Sequence, residues 1–219
     1  MAQSELIRIE NLSVNYDGKV ALEKIHLSVY DGEFTAIVGP NGGGKSTLVK
    51  AILGLVPYTG TISYAPEVAN KASIGYMPQV NNFDRAFPIS VGELILSGLQ
   101  GDKKHAWGHY GADDRAKVAR VARQLGIEGL VNKAIGELSG GELQRALLGR
   151  AIISEPRMLI LDEPANFVDP KFESELYELL VELNKRIAIV MVSHNEAAVR
   201  NLAHRVVCIN RTIQPSPAY

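Results

Sequence analysis

Polar and apolar residues alternate along residues 6–16 and again along residues 22–30, with Asp17-Gly18-Lys19 between them. A period of two on both sides of a turn predicts a pair of antiparallel strands. Phe34-Thr35-Ala36-Ile37-Val38 is then a short, nearly continuous apolar run that leads straight into a glycine-rich turn, the pattern of a strand buried on both faces. From Leu48 the spacing becomes helical, through Leu48, Val49, Ala51, Ile52, Leu53 and Leu55, and Gly54 and Pro57 end it. The middle third changes character. Residues 91–99 and 113–125 carry helix-spaced apolar positions, with Asp113 and Asp114 where a helix dipole favours acids, and residues 143–153 form a longer amphipathic helix. Buried-strand patterns return at residues 158–161, 187–192 and 205–209, with a helix over 173–184 between the first two. Strands alternating with helices predict an α/β fold with a mainly parallel sheet, here interrupted by a helical insertion and preceded by an antiparallel β subdomain. Residues 214–217 have no period and read as a frayed tail.

Composition narrows the class. A chain of 219 residues fits one unit with an inserted lobe, and 46% hydrophobic with 21% charged residues excludes disorder, collagen and coiled coil. Lys and Arg total 23 against 24 Asp and Glu, a net charge of -1, which gives no basic field for a phosphate backbone, so no nucleic-acid partner is expected. Cys208 is the single cysteine and cannot form an internal disulfide, and residues 1–10 mix charged and apolar residues instead of an apolar signal block. Both point to the cytosol. The run at residues 187–192 is far short of the ~20 residues that span a bilayer. No period of a repeat protein runs along the chain.

Three motifs carry chemistry. Gly39-Pro40-Asn41-Gly42-Gly43-Gly44-Lys45-Ser46-Thr47 fits G-x-x-x-x-G-K-[ST] between a predicted buried strand and a helix. Its glycines let backbone N–H groups turn toward phosphates, the helix start adds partial positive charge, Lys45 would reach the β and γ phosphates, and Ser46 would ligate Mg²⁺. That cradle alone leaves kinases, GTPases and ATPases open. Met158-Leu159-Ile160-Leu161-Asp162-Glu163 supplies a buried strand whose terminal Asp162 can hold the Mg²⁺ shell and whose neighbour Glu163 can polarise a water. Leu138-Ser139-Gly140-Gly141-Glu142 opens the long helix with a capping-box pattern, and its two glycines leave bare amides beside a hydroxyl.

Together these motifs resemble the signature of the ATP-binding-cassette (ABC) family, in which Leu-Ser-Gly-Gly lies between the cradle and the Asp-Glu strand, as Ser139 lies between Lys45 and Asp162. The resemblance runs from residue 6 to about residue 209. It implies a P-loop NTPase (RecA-like) core over about 1–87 and 155–210, a helical subdomain over about 88–154 and a tail at 211–219. ATP and Mg²⁺ are the implied cofactors. It further implies that Tyr16 stacks on adenine, that Gln79 touches Mg²⁺ and the attacking water, that His194 contacts the γ-phosphate, and that Asp169 lies in a loop crossing to a partner subunit. Taken singly, Tyr16, Gln79 and His194 each have a plainer reading: a strand aromatic, a solvated glutamine and a structural histidine. The sequence departs from the family at Ala165-Asn166-Phe167-Val168-Asp169, where Thr-Ser-Ala-Leu-Asp is commoner. In the family two copies pack head to tail, and each ATP lies between the cradle of one and the Ser139, Gly140 and Gly141 positions of the other.

With no spanning segment, the implied use is as the separate ATPase subunit of a transporter. It would sit at the cytoplasmic face of the membrane, on an integral permease subunit and indirectly with a substrate-binding protein. Residues 77–92 resemble the subfamily serving zinc, manganese or iron import. There Phe83 and Phe87 are either anchors for the permease or core residues of the helical lobe. His105 and His109 flank Trp107, but Gly108 weakens a helix and no third ligand stands nearby, so a metal site there is poorly supported. Another transported substrate, an exporter, or a soluble ABC ATPase without transport remain as alternatives.

Overall fold

The computed structural model describes residues 3–70, 73–79, 87–100, 110–166 and 168–214. Strand β1 (Glu5–Tyr16) pairs antiparallel with β2 (Lys19–Tyr30) from Tyr16↔Lys19 back to Glu5↔Tyr30. The turn works because Asp17 and Gly18 both take positive φ, 47° and 81°, the combination that matches the twist of a tight hairpin. Next come β3 (Phe34–Val38), α1 (Lys45–Ile52), β4 (Thr59–Tyr64), α2 (Pro66–Ala69) and β5 (Ile74–Met77). The sequence pattern did not predict β4, which joins the free edge of β1 and buries only Ile62, nor β5, whose four residues are too few to show a period.

Helices α3 (Val91–Leu96), continued by a 3₁₀ turn at Ser97–Leu99, α4 (Ala112–Gln124) and α5 (Gly140–Ile152) form the insertion. Both α3 and α5 start on a full capping box: Ser90 with Glu93, and Ser139 with Glu142. The chain then runs β6 (Met158–Asp162), α6 (Pro170–Asn184), β7 (Ala188–Val192), α7 (Glu196–Arg200), β8 (Arg205–Asn210) and β9 (Thr212–Gln214). Helix α6 begins three residues before the periodic apolar pattern does, because Asp169 caps it and Pro170 supplies a preset first turn.

Six strands make one sheet in the order β5-β6-β7-β3-β8-β9, parallel except for the β8–β9 pair. Every residue of β3, β6 and β7 is buried, and their alternate side chains serve two different cores. Phe34, Ala36, Leu159, Leu161, Ile189 and Met191 pack with α3 to α6, whereas Ile37, Ile160, Val190 and Val192 pack with α1 and the antiparallel sheet. Each of these side chains except Ala36 contributes ~1.5–3 kcal/mol by leaving water. Exposed ion pairs such as Arg8–Glu5 and Arg200–Glu196 contribute ~0–1 kcal/mol each, so the sheet and its two cores hold the fold.

The stretch expected to be a tail, 211–219, includes a strand. Residues 212–214 are β9, paired with β8, and Arg211 in the turn between them sits at φ 62° with its N–H on the Gly43 carbonyl (2.8 Å) and its own carbonyl accepting from Glu23 N–H (2.8 Å). Three residues cannot display a strand period, and the work here is done by backbone, which leaves no mark in the pattern.

Helix α5 approaches the turn after α3 so closely that a Cβ on Gly98 would stand 2.0 Å from the Arg150 carbonyl oxygen, while a Cβ on Gly129 would have nothing within 4 Å. Gly98→Ala should therefore cost about 1–3 kcal/mol of stability by forcing the two backbones apart. Gly129→Ala should stay within about 0.5 kcal/mol of wild type. Urea denaturation followed by circular dichroism separates the two, and an unchanged midpoint for Gly98→Ala would contradict this packing.

Candidate functional site

The parallel register brings three strand ends to one level. Ile37 lies opposite Val192, and Val192 lies opposite Asp162, so the segments that follow β3, β6 and β7 emerge together at the carboxyl edge of the sheet. Two further backbone bonds extend the alignment past the strands: Ser193 N–H to the Ile37 carbonyl and Glu163 N–H to the Val192 carbonyl, both 3.0 Å. That edge, outside the carboxyl ends of parallel strands, is where open α/β sheets bind ligands.

The glycine loop after β3 is shaped by its surroundings. Gly39, at φ 142°, passes so near β8 that a Cβ would lie 2.0 Å from the Ile209 carbonyl oxygen, and Gly44, at φ 100°, would meet Leu22 at 2.6 Å. A side chain at either would push the loop off its seat. The loop opens into a cleft of about 760 Å³ lined by Tyr16, Ala21, Asn41, Gly42, Gly43, Gly44, Lys45, Ser46, Thr47, Gln79, Glu163, Asn166 and His194.

Lys45, only 6% exposed, donates from Nζ to the carbonyls of Gly39 (2.9 Å) and Pro40 (3.1 Å), which leaves the third ammonium donor for the cleft. Ser46 Oγ donates to Asp162 Oδ1 at 3.1 Å. Burial pushes the Asp162 carboxyl above the usual carboxylate range; the Ser46 bond opposes this, and the neighbouring Glu163 charge adds to it. The same burial, with Asp162 nearby, raises the Tyr76 phenol to about 12. A hydroxyl and a carboxylate side by side are hard oxygen donors, and an under-compensated negative charge between them fits Mg²⁺. Among the described residues no group of three His, Cys, Asp or Glu side chains could cage a metal, so most of a cation's shell would have to come from phosphate and water.

Glu163 takes the left-handed conformation at φ 53°, rare for a residue with a side chain, and its Oε2 lies 2.6 Å from His194 Nδ1. The His194 side chain is half exposed and that of Glu163 nearly covered, so the histidine forms the outer wall of the pair. With the carboxylate ionised, His194 donates from Nδ1 to Glu163.

The cleft thus gathers Tyr16, Asn41 to Thr47, Gln79, Glu163 and His194, with Gly39 and Asp162 at its base. Ser139, Gly140, Gly141 and Asp169 lie elsewhere on the subunit. Ser139 is exposed and accepts from Glu142 N–H (3.3 Å), while Asp169 caps α6 by accepting from Phe172 N–H (3.0 Å). Sequence reading missed Ala21 and Asn166 as lining residues. Asn166 stands in the segment that departs from the family, and that departure was its one available signal. It also missed Phe172, whose ring occupies the space a Cβ on Gly141 would need (2.6 Å to Cδ2). Phe83, His105, His109 and Phe167 lie outside the described residues.

A carboxyl that is harder to ionise in the fold than in the unfolded chain stabilises below its ordinary pKa of about 4, and that contribution is lost as the pH rises through its folded value. At pH 7 the ionised Asp162 therefore costs stability in the nucleotide-free chain. Asp162→Asn, which keeps the shape and an oxygen for Ser46, should raise the melting temperature at pH 7, with the gain shrinking as the pH falls through the raised folded value and gone below roughly 4. Scanning calorimetry at both pH values measures this, and a lower melting temperature at pH 7 would contradict it.

Residues 22–166 match the family described as ABC transporter. The chain is 40% identical over 209 residues to the zinc import ATP-binding protein ZnuC of Saccharophagus degradans, covering 94% of this chain and 76% of that protein. It is 38% identical over 217 residues to the zinc uptake system ATP-binding protein ZurA of Listeria monocytogenes, covering 95% and 84%. Among solved structures, a nucleotide-free ATP-binding cassette from an ABC transporter superposes with a TM-score of 0.84 at 26% identity over 96% of this chain and 90% of that one. A cassette of the cbiONQ ABC transporter complex of Clostridium perfringens gives 0.80 at 30% identity over 97% and 88%. The chain belongs to the ABC transporter family, as an ATP-hydrolysing cassette.

Proposed function

We propose that this cassette powers the uptake of a divalent metal ion, zinc in the first instance, through a separate integral membrane permease fed by a substrate-binding protein. The relatives whose names specify zinc import or uptake support the ion, since they resemble this chain over nearly its whole length. No described helix is long and apolar enough to cross a membrane, which suits a subunit that docks on a permease from the cytoplasmic face. Phe87, 57% exposed at the start of the helical insertion, is a candidate anchor for that docking.

The observation that carries the chemical reading is the Glu163–His194 pair at 2.6 Å, set in the cleft beside Lys45 and the Ser46–Asp162 couple. ATP lies with its phosphates along Gly39 to Thr47 and its adenine against Tyr16, which is 41% exposed at the cleft. Ser46, Asp162 and Gln79 would hold Mg²⁺, which when bound offsets the charge of the β and γ phosphates. Glu163 takes a proton from the attacking water as the water oxygen bonds to the γ-phosphorus and the bond to ADP breaks. His194, donating from Nδ1, keeps the carboxylate aimed, and with both ring nitrogens protonated its Nε2–H would donate to the γ-phosphate.

Each subunit holds half of a closed site. The outward-facing start of α5, with Ser139, Gly140 and Gly141, meets the γ-phosphate on a second copy packed head to tail, and Asp169 lies in the loop that crosses to it. The γ-phosphate draws the two copies together; its loss lets them part, and that movement reaches the permease.

Glu163→Gln should bind ATP normally and lose about 10²–10⁴-fold in turnover, the usual worth of a positioned general base. In that background ATP should drive dimerisation visible by sedimentation, and adding Ser139→Arg should abolish the dimer while leaving ATP affinity within about twofold. Turnover close to wild type in Glu163→Gln would remove its role. For the ion, ATP hydrolysis by the assembled transporter should respond to binding protein loaded with Zn²⁺ more than with Mn²⁺ or Fe²⁺, and the reverse order would reassign the substrate.

A further inference from the structure

Helix α5 carries a buried polar side chain that neither the cleft nor the proposed dimer surface uses. Gln144, four residues after Gly140, is 1% exposed, and its Nε2 donates to the Asn166 carbonyl at 2.9 Å. The Asn166 N–H in turn donates to the Glu163 carbonyl at 3.2 Å. Two hydrogen bonds therefore connect the start of α5 to the residue in the left-handed turn beside His194. A second link runs in parallel. The Phe172 ring fills the notch left by Gly141, Arg145 covers that ring at 5.3 Å from its centroid, and Arg145 also pairs with Glu175 of α6. Phe172 is itself held by Asp169. The segment from Glu163 to Phe172 is thus keyed to α5 at both ends.

Gln144 Oε1 has no hydrogen-bond partner among the described residues although it is buried. A buried amide that satisfies only one end is expensive for the fold, and an apolar side chain of the same volume would be cheaper there. The donating nitrogen is the part of this side chain that makes a contact, the one to the Asn166 carbonyl.

We propose that Gln144 is a positioning residue, resting on the head-to-tail reading above: when a partner's γ-phosphate engages Ser139 to Gly141, Gln144 carries the displacement of α5 to the Asn166 carbonyl and so sets the orientation of Glu163. Hydrolysis is then conditional on closure, because an α5 that is not engaged leaves the carboxylate loop in its resting position. Phe172 in the Gly141 notch keeps the helix and loop in register during that movement.

Gln144→Met tests this, because it preserves volume and removes the donor. The full chain is assayed with Mg²⁺ and ATP beside wild type. Turnover should fall about tenfold or more, with KM for ATP within about twofold and the stoichiometry of nucleotide binding unchanged. In the Glu163→Gln background the ATP-driven dimer should form as before, because closure precedes the step that Gln144 serves. Turnover equal to wild type overturns the proposal. So does a fall in turnover matched by loss of the dimer or of nucleotide sites, which marks a structural role only. A wild-type chain that neither hydrolyses ATP nor dimerises overturns the functional reading, and the link with it. Should Gln144→Met not fold, Gln144→Asn keeps an amide in place but is one methylene too short to reach Asn166, and the same criteria decide.

Discussion

The alignment of β3, β7 and β6 is the constraint on which the rest depends. Because parallel pairing sets Ile37, Val192 and Asp162 side by side, three loops of unrelated sequence leave the sheet at one height. A shift by one residue in any of these strands would turn its side chains to the opposite core, exchanging sets of different size on each face of the sheet. The two cores therefore fix the register, and the register fixes the distance from Ser46 to Asp162 and from Glu163 to His194. Precision at the site is inherited from burial some distance away from it. The glycine loop is anchored from below by the same logic, through Ile209 on one side and Arg211 on the other.

Within that frame the cleft holds opposite charges that the protein does not neutralise fully on its own. Lys45 rests on two carbonyls of its own loop, and Asp162 has a single hydroxyl for company and a carboxyl that burial makes harder to ionise. Neither arrangement is the cheapest available to a folded chain. Both suit a site that binds ATP, so that the bound nucleotide stabilises the folded chain further. Glu163 in its left-handed turn is a further local cost, and it stands where the proposed chemistry takes place.

The glycine loop, the Asp-Glu strand and the capped start of α5 were legible in the sequence because each combines rare residue types at fixed spacing with a period that places it on a strand or a helix. The central strands were legible for the same reason, since continuous apolar runs bounded by turns have few other readings. What escaped did so for three physical reasons. β4 buries only Ile62 and β9 has no fully buried residue, so they bury too little to imprint a period. The roles of Arg211 and Asn166 reside in backbone groups that every residue possesses. Phe172 and Gln144 act through packing between helices distant in the chain, and a sequence records one partner of such a pair without naming the other.

The start of α5 shows how one residue can serve both the fold and the proposed dimer without conflict. As a cap, Ser139 uses its oxygen as an acceptor for the Glu142 N–H, and the hydroxyl proton is left to donate outward. The Glu142 carboxylate binds back to Ser139 N–H at 2.7 Å, an interaction that lowers its pKa, and so leaves the amides of Gly140 and Gly141 for another ligand. A capped helix of this kind is already stable when it faces water, and it still has three donors to offer when a phosphate arrives. The absence of a side chain at Gly141 gives Phe172 its seat. This makes the second glycine of the motif the point where the proposed dimer surface is joined to the loop that holds Glu163.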